Sequence, residues 1–287
     1  MSAMATKSWK GILMGLLLVI LCACNGPAES VHSVAGIEET GKEQAVQQEE
    51  GRDTLTWIEP GGSGGAEQEQ ASAVVIAKGG SEYTMEEYLW KTVKDVDEFW
   101  TDVWIKTYQY EPFVFVSFPA PGEQVPIGCG LGYSNDGTSL YCSEDDQLVI
   151  SQAFALDVWK GRLITNPDPP LPYEAGDFSI AFYVAHEYAH SLQQDLGMLE
   201  ANAGNAVRNL ELHADCMAGV WTKSVYERGL LETGDLEEVM RTTHDGGDYS
   251  DDPSLHHGTP QQRYDAFKTG YDEGMASSCG HYVEGSA

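Results

Sequence analysis

The segment FYVAHEYAHSLQQ, residues 182–194, holds two histidines four apart with a glutamate immediately after the first, and the stretch leading into it, FSIAFYVA (178–185), is apolar. Such a flank is what a buried helix would carry, and polar groups carried into a core need partners there. A fold that buries this helix would have to bring other polar side chains to it. Residues four apart share one face of a helix, so His186 and His190 aim their ring nitrogens at a common point, with Glu187 on the same edge. Two imidazoles so placed can each reach a zinc ion at about 2 Å, and the glutamate can take a proton from a zinc-activated water. The same letters also suit a pair of histidines hydrogen-bonded within a core, so the rest of the chain has to discriminate.

A catalytic zinc takes three protein ligands and keeps one position open. Downstream, NLELHADCMAGVW (209–221) places Glu211 and Asp215 four apart among apolar neighbours. Enough chain separates His190 from Glu211 for a turn and an antiparallel return helix, which would bring Glu211 to the metal as third ligand. Asp215, one turn on, would hydrogen-bond the far nitrogen of a ligand histidine and fix its tautomer. His213 points away from that face and reads as a bystander. In a plain amphipathic helix the two carboxylates would instead mark the solvated side.

The N-terminus supplies an address. Lys7 and Lys10 precede the apolar run GILMGLLLVILC, whose dozen or so residues are short of the roughly 20 a membrane span needs. Residues 1–23 thus read as a secretory signal. Leu21–Cys24, LCAC, resembles a bacterial lipobox with Cys24 as lipid acceptor, although Cys22 is an unusual occupant of its position; the alternative is an ordinary cleaved signal peptide. Acylation of Cys24 would tether the mature protein to the outer face of a bacterial membrane. Residues 24–80 read as a flexible acidic linker rich in Gly, Glu and Gln, which cannot bury enough apolar surface to order itself. Within it, only Val74–Ala77 forms an apolar patch able to add a strand. Sixteen basic against forty-five acidic residues give a net charge of −29, which repels phosphate backbones and argues against nucleic-acid partners.

The remainder, residues 81–284, reads as one α+β domain, mostly helical with a small β-sheet and without internal repeats. Seven tryptophans and 42% hydrophobic residues are enough for a core. Helical period covers 81–107; 112–119 and 147–154 are β-rich. After the proline-rich connector 166–176, helices are expected at 178–196 with Asp177 as cap, then at about 200–229, 235–243 and 260–272. Cys129, Cys142, Cys216 and Cys279 are an even set in an exported domain and read as two disulfides. Of three connectivities, pairing Cys129 with Cys142 closes a short loop and leaves Cys216 to tie a helix to the tail at Cys279. A cysteine metal site lacks any close CxxC pair.

HEYAH, ELHADCMAGVW, GDLEEV and HGTPQQRYDAFKTGYDEG…C succeed one another in the order found in the bacterial predicted neutral zinc metallopeptidase family, and the Cys129/Cys142 loop is similar too. The resemblance spans roughly residues 82–283. It implies a zincin-like fold, with zinc (one ion per chain) on His186, His190 and Glu211. It further implies Glu187 as catalytic base and Asp215 as support. The departures are Ala189 where Gly is more usual and His213 where Gln is typical. An oxyanion donor is sought in LHHGTPQQR, where His257 of the HGT motif comes first and Tyr249 and His256 are weaker. His257 also reads simply as a loop residue before a helix capped by Thr259 with Pro260 in the first turn. The acidic loop HDGGDYSDD (244–252) reads as solvated, with calcium binding the alternative. The expected function is a lipid-anchored, extracytoplasmic zinc metallopeptidase acting on protein or peptide substrates. Alternatives are a non-catalytic envelope lipoprotein retaining the fold, and a zinc amidase acting on cell-wall peptides.

Overall fold

In the computed structural model of this chain, which describes residues 55–57, 75–78, 81–161, 176–202 and 206–283, three strands precede the first helix among the described residues. These are β1 (Leu55–Trp57), β2 (Val75–Lys78) and β3 (Ser81–Thr84). Helix α1 (Met85–Tyr108) starts on a capping box: Thr84 Oγ1 accepts from the Glu87 N–H at 3.2 Å, and the Glu87 carboxylate accepts from the Thr84 N–H at 2.8 Å. Its buried stripe, including Leu89, Val93, Val96, Trp100 and Trp104, recurs every three or four residues. Strands β4 (Val114–Ser117), β5 (Pro126–Ile127), β6 (Gly132–Tyr133), β7 (Ser139–Cys142) and β8 (Gln147–Ile150) follow.

The main sheet runs β1-β4-β8-β7, with β4 parallel to both β1 and β8, and β7 antiparallel to β8 at the edge. The β2–β3 and β5–β6 pairs are separate antiparallel ribbons. Within 24–80, residues 55–57 pair with β4 and residues 75–78, at the apolar patch Val74–Ala77, pair with β3. Residues 1–23, Cys24, the rest of that segment and residue 284 lie outside the described residues. Among the described residues no helix is long and apolar enough to cross a membrane.

Helix α2 (Gln152–Trp159) corrects the expected strand 147–154: Ser151 accepts a hydrogen bond from the Ala153 N–H and turns the chain from strand into helix. Helix α3 (Asp177–Asp195) begins after Gly176, so Asp177 is its first residue rather than its cap, and its charge suits the helix N-terminus. The helix expected over about 200–229 is two: α4 (Met198–Ala201) and α5 (Arg208–Glu227). Helix α6 (Asp235–Asp245) and α7 (Pro260–Glu273) fall where the periodicity puts them, α7 capped by Thr259 with Pro260 in its first turn. The disulfides are Cys129–Cys142 and Cys216–Cys279.

The result is a mixed α+β domain, mostly helical, with α3 at its centre. Helices α1, α2, α5 and α6 and strand β7 all pack on α3, and from Asp177 to Gln193 all but Tyr183 is buried. Polar tethers fix its position: Tyr188 Oη donates to Asp97 on α1 at 2.7 Å, and Thr242 Oγ1 on α6 donates to Ser179 at 2.7 Å. A helix so enclosed offers its polar residues only to protein neighbours or to a ligand.

Candidate metal centre

Helix α3 carries His186, Glu187 and His190, and α5 crosses it with Glu211 facing the two rings. One ligand atom from each of His186, His190 and Glu211 lies within 4.8 Å of the others. His186 Nε2 is 3.2 Å from Glu211 Oε2 and His190 Nε2 is 3.6 Å from Glu211 Oε1. The rings stand perpendicular, their centroids 4.9 Å apart. All three residues are at most 4% exposed. Among the described residues Glu211 Oε1 has no hydrogen-bond partner, although it is fully buried. A bare buried carboxylate oxygen is costly, and a cation between it and the two Nε2 atoms removes that cost. Two imidazoles, a carboxylate and nothing softer fit zinc.

Each ring is held from behind. His186 Nδ1 lies 2.9 Å from Asp215 Oδ1, an ion-pair distance rather than an aligned hydrogen bond. Arg263 on α7 grips the same carboxylate with both arms, Nε to Oδ2 and Nη2 to Oδ1, each at 2.8 Å, while its Nη1 donates to the Gly246 carbonyl at 3.0 Å. His190 Nδ1 is 2.9 Å from Gln193 Oε1. Glu187 accepts a hydrogen bond at 3.0 Å from Ser139 Oγ on the edge strand β7.

The field at this point is set by carboxylates. Burial draws the His186 pKa down, but its close contacts with Asp215 and Glu211 and their charge more than offset it and push it up to about 9. Burial raises Glu211, yet its contacts with His186 and the charges of His190, His186 and His257 bring it well below the ordinary carboxylate range. Asp215, raised by burial, is lowered further by Arg263 and His186. An environment that holds a proton on a buried imidazole also favours a dication.

His213 corrects the sequence reading. It is buried, with Nδ1 3.1 Å from Gln193 Nε2, so it belongs to the network behind His190 rather than standing by. Burial, with the charges of His190 and His281, pushes its pKa down to about 4. Asp248 gathers the HGT histidines: Oδ1 meets His256 Nδ1 at 2.8 Å, and Oδ2 meets His257 Nδ1 at 3.0 Å and accepts from its backbone N–H at 2.9 Å. Tyr249 is 67% exposed. In the acidic loop Asp248 accepts from Ser250 N–H, Asp252 from Ser254, and Asp245 pairs with Arg241, so these carboxylates are engaged by protein donors. Ser139, Gln193 and Arg263 escaped the sequence reading; only the spacing of Gln193, three residues after His190, was a signal for any of them. A second group, Asp177, Asp235 and Glu238, is all carboxylate, a donor set harder than zinc prefers.

The family model described as "Putative neutral zinc metallopeptidase" matches residues 45–282. Among curated proteins, Uncharacterized protein YpfJ of Escherichia coli (strain K12) is 37% identical over 194 residues, 61% of this chain and 62% of that protein. Uncharacterized protein Mb2605 of Mycobacterium bovis is 30% identical over 182 residues, 54% of this chain and 58% of that protein. The aligned span is less than two thirds of either relative's own length. No solved structure matches the chain.

Proposed function

The chain belongs to the putative neutral zinc metallopeptidase family, and on that premise we propose that it hydrolyses peptide bonds at a zinc site built from His186, His190 and Glu211, within a zincin-like arrangement of α3 and α5. The observation that carries this reading is the convergence of three buried ligand atoms within 4.8 Å around an unpartnered carboxylate oxygen. When bound, zinc supplies Lewis acidity, which polarises a scissile carbonyl and makes water acidic near neutral pH.

The chain's own residues do the rest. Ser139 occupies Glu187 Oε1, which leaves Oε2 to take the proton of the attacking water and deliver it to the leaving amine. Asp215, locked by Arg263, and Gln193 hold the two imidazoles in place. Asp248 holds His257 through Nδ1; as an imidazolium, that ring has Nε2–H left to donate to the oxyanion. Burial of the site keeps bulk water from competing. The proposal includes an address, the outer face of a bacterial membrane with Cys24 acylated; LCAC and the two disulfides support it.

Metal analysis of the purified chain together with the Glu187→Gln variant tests the activity. The parent should carry about one zinc and cleave peptides in a chelator-sensitive way. Glu187→Gln should keep the zinc and lose at least about 100-fold in kcat. A parent without zinc, or a variant with full activity, sinks the proposal. Running peptidoglycan fragments beside protein substrates separates a peptidase from a cell-wall amidase.

A further inference from the structure

The side-chain amide of Gln193 is fully buried between α3 and α5, and each of its polar atoms has a partner. Nε2 lies 2.8 Å from the carbonyl oxygen of Leu210. A carbonyl can only accept, so the NH2 end of the amide must be on that side, which fixes the orientation of the group. Oε1 is then committed to the other side, 2.9 Å from His190 Nδ1. An amide oxygen can only accept, so His190 carries a proton on Nδ1, which leaves Nε2, the atom on the Glu211 side, as the one whose lone pair a metal would take. The second hydrogen of Nε2 points to His213 Nδ1 at 3.1 Å, which places the His213 proton on Nε2. One amide orientation and two histidine proton positions follow from one backbone carbonyl, in the residue just before the third ligand.

We propose that Gln193 is a positioning residue of the metal centre, setting the His190 tautomer and, through Leu210, the height of the Glu211 helix against α3. The inference rests on the metal reading of the site given above. It also assigns the two ligand histidines different supports. His186 leans on an anion clamped by Arg263, whereas His190 leans on a neutral amide. Removing a polar group behind a ligand imidazole typically weakens metal binding by about 10–100-fold.

The test is a zinc titration of the metal-free full chain against a competing chelator, on the parent, Gln193→Met, Gln193→Glu and Gln194→Met. Gln194 is the exposed neighbour of Gln193 and serves as control. Gln193→Met should bind zinc about 10–100-fold more weakly than the parent. Gln193→Glu should fall between the two, since its carboxylate still accepts from His190 Nδ1 but has no hydrogen to donate to the Leu210 carbonyl, and Gln194→Met should match the parent. A parent that binds no zinc overturns the metal reading and this inference with it. A parent that binds zinc beside a folded Gln193→Met of equal affinity overturns this inference alone, as does a Gln193→Glu equal to the parent, which would leave the Leu210 bond without effect. Should the Met variant not fold, 15N spectra of the zinc-loaded parent decide: Nδ1–H at His190 and Nε2–H at His213 are expected, and the opposite tautomer at either ring overturns the assignment.

Discussion

Asp248 holds two histidines and a turn with one carboxylate, and its titration follows from that. Burial raises its pKa, but hydrogen bonds from the His256 side chain, the His257 and Ser250 backbones and the His257 ring outweigh burial and hold it at about 2. The unfolded value is near 3.9. The folded state therefore binds fewer protons between these values, so the stabilisation is complete above about pH 4 and is lost as pH falls toward about 2. Asp248→Asn should cost about 2 kcal/mol near pH 6, discounted slightly because the side chain is 27% exposed. Urea denaturation across a pH series should show the gap to the parent closing as the solution is acidified; a gap that stays constant would sink the charge argument. At this scale the grouping of His186, His190 and Glu211 was legible, because the two histidines share one helix face and Glu211 lies on the next long helix, within reach of it. Arg263, Ser139, Gln193 and the true place of His213 were not legible. Their partners sit on α5, α3 or the Gly246 turn, and the spacing within one helix does not reveal how a second helix is set against it.

Helices α5 and α7 show what such a setting requires. A Cβ on Gly270 would lie 1.8 Å from the Cys216 carbonyl oxygen, and one on Gly219 would lie 2.1 Å from that of Phe267. The two backbones touch there, and only hydrogen atoms fit between them. Gly270→Ala must push the helices apart and should destabilise the domain by on the order of 3 kcal/mol. It should also weaken zinc retention, because Arg263 rides on α7 and would be drawn off Asp215. Thermal unfolding and metal content of the same preparation check both effects; an unchanged melting temperature contradicts the close approach. Helix positions were mostly readable from apolar period and from the Thr259–Pro260 start. Strand ends and the break between α4 and α5 were not, since a cap such as Ser151 and pairing with a distant strand decide them.

Across the whole domain, the Cys216–Cys279 disulfide closes a separation of 63 residues and ties the C-terminal turns back to the helix that carries Glu211 and Asp215. Chain-entropy reasoning gives such a loop about 4 kcal/mol. The double variant Cys216→Ser, Cys279→Ser should therefore lose about 3–4 kcal/mol in urea denaturation, whereas a loss below about 1 kcal/mol would place its contribution elsewhere. The sequence by itself determined the class of fold, the metal-type helix and the order of its partners, since these depend on residue types at local spacings. Tertiary structure alone decided which oxygen of Glu211 stands bare, which atom of Gln193 faces His190, and that Arg263 and Ser139 reach the site at all. Those facts depend on where one element lies against another to within a fraction of a hydrogen bond, and that distance is set by packing of the whole core rather than by any one segment.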